Sequence, residues 1–417
     1  MVVKKLTGLS GIDNRQEDAA LEVGGNAPSL HLRDAVNVDF TDTGRIKLRD
    51  GVQQVCSTPF RHLWQSSLHG DCFAALDGDW VKINPITFDY EVILQGVAYG
   101  HVSHQVLNNR IVMCSERGLY LHDGQSSYPL CLDTPAAPMT YFADDGSILP
   151  GDYSVAVSWL RDGQESALSE SMKINSTGNE SLHINFPLCL DTSLTHVRLY
   201  MTEQNGGELR QVEDYPISEL SIRIPSMPNL GRAATYQHLS PMRSGRYLKL
   251  WRGRLLTAQR NILYFSEAMT FHLTDERYNF LQFPQRITFV EPVDGGIWVG
   301  QVDHVAFLRG VEPKDMTQER KPAARPIEGS SGMLKSDMIS PEISQGADTA
   351  IWLAENGYNI GTSQGQVIEI QSNHLSNISG KSAQLVGLGE NEPYRVCRRL
   401  NILRDYSDEK TKLYPRN

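Results

Sequence analysis

A strand–turn–strand unit recurs along this chain, and its spacing constrains the fold more than any other feature. The stretch NRIVMCSERGLYLHDG at residues 109–124 aligns without a gap on GRLLTAQRNILYFSEA at residues 253–268. Arg110 falls on Arg254, Ile111 on Leu255, small Cys114 on small Ala258, and Leu119 and Tyr120 on Leu263 and Tyr264. GIWVGQVDHVAFLRG at residues 296–310 follows the same template, and AIWLAENGYNIG from Ala350 and CFAALDGDWVKI from Cys72 also fit it. Each unit reads as a strand, a short polar turn and a second strand.

The starts near Cys72, Ile111, Leu255, Ile297 and Ile351 lie about 40 to 55 residues apart, with one gap of about 144. Four-stranded propeller blades repeat at roughly 40 to 50 residues. Removing an inserted domain of about 100 residues returns the long gap to one blade. The pattern therefore predicts an all-β chain: a β-propeller of about five to six blades with one inserted domain. Strands near residues 35–39 and 45–48 are expected to close the ring against C-terminal ones.

The insert is placed at residues 138–228. It opens on alternating Tyr153, Val155, Val157 and Trp159, and LHINF (182–186), HVRLYMT (196–202) and LSIRI (220–224) supply further strands. About seven short strands in about 90 residues is the size of an immunoglobulin-like or fibronectin-like β-sandwich. The absence of a Cys–Trp–Cys framework favours the fibronectin-like version. The expected organisation is thus 1–137 and 229–405 for the two parts of the propeller, 138–228 for the insert, and 406–417 for a polar tail. Residues 309–349, rich in Pro, Ser and charge, read as a long loop.

Composition narrows the function. The net charge of -10, from 39 basic and 49 acidic residues, is the wrong sign for gripping nucleic acid. It is compatible with a surface past which DNA slides. Six scattered cysteines form no C-x-x-C pair and no disulfide framework, and they fit synthesis in a reducing cytoplasm. No apolar run is long enough to cross a membrane, and the N-terminus shows no Sec signal pattern.

The N-terminal block adds a resemblance. GLSGIDNRQED at residues 8–18 precedes HLRDAVNVDFTDTGRIKLRDGVQQV at residues 31–55. The second segment carries Leu32, Arg33, Ala35, Asn37, Val38, Asp39, Gly44, Ile46, Arg49 and Gly51 in the spacing that opens β-propeller virion proteins of phages. The insert, with Gly151, Tyr153 and residues 163–166 (GQES), is similar to the fibronectin-like insert that several of them carry. The chain as a whole resembles the tail hub, nozzle or DNA-stabilisation proteins of short-tailed phages. That resemblance implies a non-enzymatic virion protein, made in the bacterial cytoplasm and assembled as a homo-oligomeric, hexameric ring. Its partners would be the portal and adaptor on one side and tail fibres or spikes on the other, with DNA passing through. Read physically, the same segment is a turn between strands, with Arg45, Lys47 and Arg49 on one face and Ile46 and Leu48 packed inward on the other.

No residue pattern demands chemistry. The pair His101 and His104 lacks a third ligand, and Asp39, Asp42 and Gly44 lack the rest of a calcium loop. No G-x-S-x-G elbow, P-loop or dinucleotide fingerprint occurs, and no cofactor is implied. Asp144 and Asp145 read as a solvated turn before the insert rather than a glycosidase pair. Asn175 and Asn377 head glycosylation-like triplets that matter only in a secreted protein. Trp159, Trp251, Trp298 and Trp352 sit in strand patterns and read as core, although a carbohydrate-binding module would stack sugars on such rings. A propeller hydrolase is the other alternative. The candidate interface residues are Arg320, Lys321 and Arg325 in the 309–349 segment and Arg395, Arg398 and Arg399 near the C-terminus, where Arg404 follows.

Overall fold

The computed structural model describes residues 8–17, 21–23, 29–35, 37–41, 43–48, 56–66, 70–378, 386–389 and 392–398. Among them the fold is all-β, with one four-residue α-helix, Pro341–Ser344, and short 3-10 turns. Its main theme is a four-stranded sheet whose strands lie side by side in chain order, and five such sheets occur among the described residues. Their second strands are Cys72–Leu76, Arg110–Cys114, Arg254–Gln259, Gly296–Gln301 and Thr349–Ala354. These are the strands that open the five repeats, and the third strand of each sheet is the second half of the repeat.

The repeats mark the inner strands because those are the ones buried on both faces. All five residues of Cys72–Leu76 and all six of Gly296–Gln301 are buried. Such strands read as continuous apolar runs. The small residue at the fourth position has a local cause in the fourth sheet, where a Cβ on Gly300 would come within 2.2 Å of the Phe289 ring.

The chain forms two compact units, each assembled from separate stretches. The first comprises the described residues within 1–98, 258–262 and 282–398. In it the fourth and fifth sheets share a core of Phe289, Trp298, Phe307, Ala350 and Trp352. The Trp298 and Trp352 rings lie 5.4 Å apart, and Trp298 Nε1 donates to the Thr362 carbonyl at 3.0 Å. Gly361 is required beneath them, since a Cβ there would fall 2.5 Å from Trp298.

The second unit comprises residues 99–257 and 263–281. Between the second and third four-stranded sheets it carries two further sheets. One is three-stranded, in the order Met139–Ile148, Glu180–Asn185, Ser221–Ile224. The other is built around Gly151–Arg161 and has five strands, with His196–Met201 as the long neighbour. Both sheets send side chains into one core: Leu182, Ile184 and Ile224 from the first, and Tyr153, Val155, Val157, Trp159, Val197 and Leu199 from the second. Burying these side chains contributes roughly 1.5–3 kcal/mol apiece before conformational entropy is charged against it.

The structure departs from the sequence expectations at three points. The 309–349 segment is not a long loop: Thr317–Lys321 completes the fourth sheet and Gly332–Leu334 opens the fifth. Thr317–Lys321 (TQERK) is an outer strand facing solvent, so it carries charge where an apolar alternation would have announced it. Among the described residues the strands Val38–Phe40 and Ile46–Leu48 pair with each other in a two-stranded sheet and with no C-terminal strand. Ile46 and Leu48 do not pack inward; they are 44% and 74% exposed, because a two-stranded ribbon has no second layer to cover them. The turn reading of that hairpin does match the geometry: Gly44 has φ +68 and its amide closes onto Thr41 O at 2.8 Å. Asp42, Arg49 and Gly51 lie outside the described residues.

Candidate functional site

The candidate interface residues fall in two places. Arg320 and Lys321 end the outer strand of the fourth sheet, and Arg325 follows it. Arg320 is exposed. Lys321 is engaged: its Nζ meets Glu319 Oε2 at 2.7 Å and lies 5.6 Å over the Phe307 ring. Arg309 reaches the other Glu319 oxygen at 2.8 Å and covers the same ring at 5.3 Å. The two cations hold the Glu319 carboxyl below its usual range. Arg325 lies 3.8 Å from Glu355. Lys321 also lines an open cavity of about 610 Å³ with Pro322 and residues 365–369, beside the outer strand Val367–Glu369. Arg395 and Arg398 belong to the strand Glu392–Arg398, while Arg399 and Arg404 lie outside the described residues.

The reading of the remaining constellations follows from burial. Trp159, Trp251, Trp298 and Trp352 are 5% exposed or less, so none offers a ring face to a sugar. His104 is buried on the strand Ser103–Leu107, and the His101 ring meets Tyr247 edge-on at 5.2 Å. Among the described residues no three His, Cys, Asp or Glu side chains are grouped to hold a metal. Cys114 and Cys131 are pushed up to about 12 and Cys72 to about 11 by burial, which suppresses their thiolates. Asn175 donates to Asp152 at 2.7 Å, and Ser379 of the second triplet is outside the described residues.

The N-terminal GIDNR motif has a definite place within the first unit. Asp13, 2% exposed, accepts from His374 Nδ1 at 2.9 Å and from the amides of Arg15 and Gln16. These donors, His374 foremost, lower its pKa to about 2 against the cost of burial. Asn14 bonds residues 374 and 376 four ways: its backbone N–H donates to His374 O, its Nδ2 to Ser376 O, and its Oδ1 accepts from Ser376 N at 2.8 Å and Ser376 Oγ at 3.4 Å. Arg15 donates to the Ser372 carbonyl, and His31 stacks on His374 at 5.1 Å. A clasp thus ties the N-terminal segment to the segment after the fifth sheet, 361 residues away.

The insert holds two polar clusters that the sequence did not announce. On the five-stranded sheet, Glu165 accepts from Ser158 at 2.8 Å, Tyr200 at 2.5 Å and Arg198 at 2.7 Å. Arg198 grips Asp214 bidentately at 2.6 and 2.7 Å. On the three-stranded sheet, Asp145 is held by Ser181 and by Arg223, 2.7 Å away. Asp144 and Asp145 are therefore not in a turn before the insert but in a bulge of its first strand, between Ala143 and Ile148. Ser181 Oγ donates to the carboxylate, and His183 Nε2 lies a longer 3.2 Å from the same Ser181 Oγ. A serine that gives its proton directly to a carboxylate and is wholly buried is a structural group, not a nucleophile.

Comparison with known proteins names no family. No sequence-family profile matches the chain, and no curated protein matches it. Among solved structures, the extracellular domain of BT4673 from B. thetaiotaomicron is similar at TM-score 0.21 and 10% identity, over 79% of this chain and 61% of that one. Saccharomyces cerevisiae Sqt1 is similar at TM-score 0.22 and 10% identity, over 74% of this chain and 95% of that one. The AfRom2 CNH domain is similar at TM-score 0.18 and 10% identity, over 72% and 92%. The chain spans about three fifths of the length of the first of these. Likenesses at this level carry no functional argument. Among the described residues no helix is long and apolar enough to cross a membrane.

Proposed function

We propose that this chain is a structural component of a phage tail. In this reading the five four-stranded sheets are the blades of a β-propeller, and the two sheets of residues 139–224 form an inserted fibronectin-like sandwich. The observation that carries it is the regular succession of five chain-ordered sheets, each seeded by the same repeat and interrupted once by a two-sheet insert. Together with the N-terminal block, that plan is the one the resemblance to phage tail hub and nozzle proteins implies.

The protein acts through shape rather than catalysis. Copies assemble as a ring, hexameric in the resemblance, below the portal and adaptor, and the ring serves as DNA conduit and as mount for tail fibres. Its net charge of -10 disfavours adhesion to passing phosphates. The Asp13–His374 clasp ties the N-terminal segment to the segment after the fifth sheet, and the charged outer strand Thr317–Lys321 discourages edge-to-edge association. Arg320 and the Glu392–Arg398 strand are the candidate contacts to neighbouring subunits. Synthesis is in the host cytoplasm and the destination is the virion.

Immunogold electron microscopy tests this reading, using antibody against the chain on phage particles from the source lysate. Label concentrated at the tail vertex is expected. Particles without label, with the chain free in the lysate, would overturn it.

A further inference from the structure

Two sets of apolar side chains stand in solvent, one in each unit. The first is on the ribbon of Val38–Phe40 and Ile46–Leu48. Its register sets Val38 opposite Leu48 and Phe40 opposite Ile46, with Asp39 opposite Lys47 between them. Directly opposed residues share a face, so the four apolar side chains lie on one side of the ribbon and Asp39 and Lys47 on the other. Leu48 is 74% exposed and Ile46 44%. A two-stranded ribbon with an open apolar face is marginally stable alone and gains stability from a second layer.

The second set lies at one end of the insert. Strand pairing brings Met139 opposite Asn185 and Asn185 opposite Ser221 at the end of the three-stranded sheet. The loop of residues 186–195 leaves from there, and its Phe186 N–H donates to Leu220 O at 2.9 Å. Leu188, Leu190 and Leu220 are 83%, 97% and 60% exposed, and Met139 is 70% exposed. Single exposed leucines are ordinary on any surface, whereas four large apolar side chains at one end of a domain mark a contact. The surroundings differ in sign. At this end residues 162–163, 186–195 and 217–220 carry Asp162, Asp191 and Glu219, all exposed, and no Lys or Arg. Arg161 beside them is buried and donates to the Pro129 carbonyl at 2.7 Å. On the ribbon, exposed Arg45 and Lys47 stand against Asp39.

We propose that the ribbon of one copy of this chain packs its apolar face on the leucine-bearing insert end of a second copy. Apolar surface then meets apolar surface, and the basic flank of the ribbon meets the acidic flank of the insert. A foreign partner on either surface would leave the other bare, whereas a second copy covers both kinds of surface with one kind of contact. Because the two surfaces differ, the contact is heterologous: every copy offers both, so it repeats from copy to copy and builds a ring or a filament instead of stopping at a pair. This contact deepens the ring reading above, on which it rests for closure.

The test uses the full chain. Sedimentation and light scattering over a concentration series should show association that passes beyond the dimer. Leu48→Glu brings a carboxylate onto the acidic insert end, and Leu190→Lys brings an ammonium onto the basic ribbon. Each should weaken association at least about tenfold, with the thermal midpoint unchanged because both positions are exposed. Copies with Leu48→Glu keep an intact insert end and copies with Leu190→Lys keep an intact ribbon, so an equal mixture should form dimers and nothing larger. A chain carrying both substitutions, whose new charges face each other across the contact, should recover association. A parent that stays monomeric at every concentration would overturn the proposal, as would single variants that associate like the parent. So would a mixture that stays monomeric, or a loss confined to one of the two variants, which would give that surface to a like-on-like pair. Self-association without label on particles, or label without self-association, separates this contact from the tail reading.

Discussion

The insert carries the same chemistry twice, once on each sheet. Glu165, Arg198, Tyr200 and Ser158 on the five-stranded sheet repeat the carboxylate, guanidinium, aromatic and hydroxyl set of Asp145, Arg223, Tyr141 and Ser181 on the three-stranded one. Burial separates them. The Glu165 and Arg198 side chains are 6% and 13% exposed, against 56% and 44% for Asp145 and Arg223. In the first cluster every polar atom must find a partner within the protein, and the chain segment carrying Ala234 and Tyr236 packs against Tyr200 and Leu209 beside it. In the second, Ser181 is buried but the Asp145 and Arg223 side chains are about half exposed, so water competes for their ion pair and it adds little stability. One cluster is a fastening and the other a surface.

The comparison breaks most visibly at Arg198. Replacing it with Met strands the Glu165 carboxylate in the interior, and a buried partner left alone costs about 3–5 kcal/mol. Urea unfolding of the full chain should record a loss of that size; a loss below about 1 kcal/mol would mean the cluster is open to water. Tyr200→Phe is milder, since Glu165 keeps Arg198 and Ser158, and about 1 kcal/mol is expected from the same curves.

Acid sharpens the contrast. The bidentate Arg198 contact depresses the Asp214 carboxyl. A group with a depressed folded value stabilises above its unfolded pKa of about 3.9 and loses that contribution as pH falls through the folded value. Asp13, lowered to about 2, behaves the same way between about pH 4 and 2. Thermal midpoints should therefore be flat above pH 5 and fall below about 4, less steeply for Arg198→Met because one of the linked carboxylates has lost its partner. The smallest effect belongs to the surface cluster: Arg223→Met should leave the thermal midpoint nearly unchanged at neutral pH.

The part of the fold that could be read from residues was the part buried on two faces. Ile111, Leu255 and Ile297 announce inner strands because nothing but apolar side chains fits there. Thr317–Lys321 could not be found that way, because an outer strand meets solvent and its pairing is set by the neighbouring Val305–Arg309. Ile46 and Leu48 misled for the opposite reason: alternation specifies a two-faced strand but not whether a second layer exists to cover it. The alternation in LHINF and LSIRI does place His183 and Arg223 outward. What no local pattern reveals is that they share a row with Tyr141, since register between strands about 40 residues apart is set by the core on the other face. The GIDNR motif was visible as a block, and its partner segment at 372–376 was not, for the same reason of distance along the chain.

Whether the five repeats form the blades of one tail component, as proposed, is decided by cryo-electron microscopy of the tail vertex of intact particles. The expected density is a ring of copies on the tail axis, each with five four-stranded blades and a two-sheet domain emerging between the second and third. A vertex whose density is fully accounted for by other chains, or copies in which the five sheets do not close around a common axis, would contradict it.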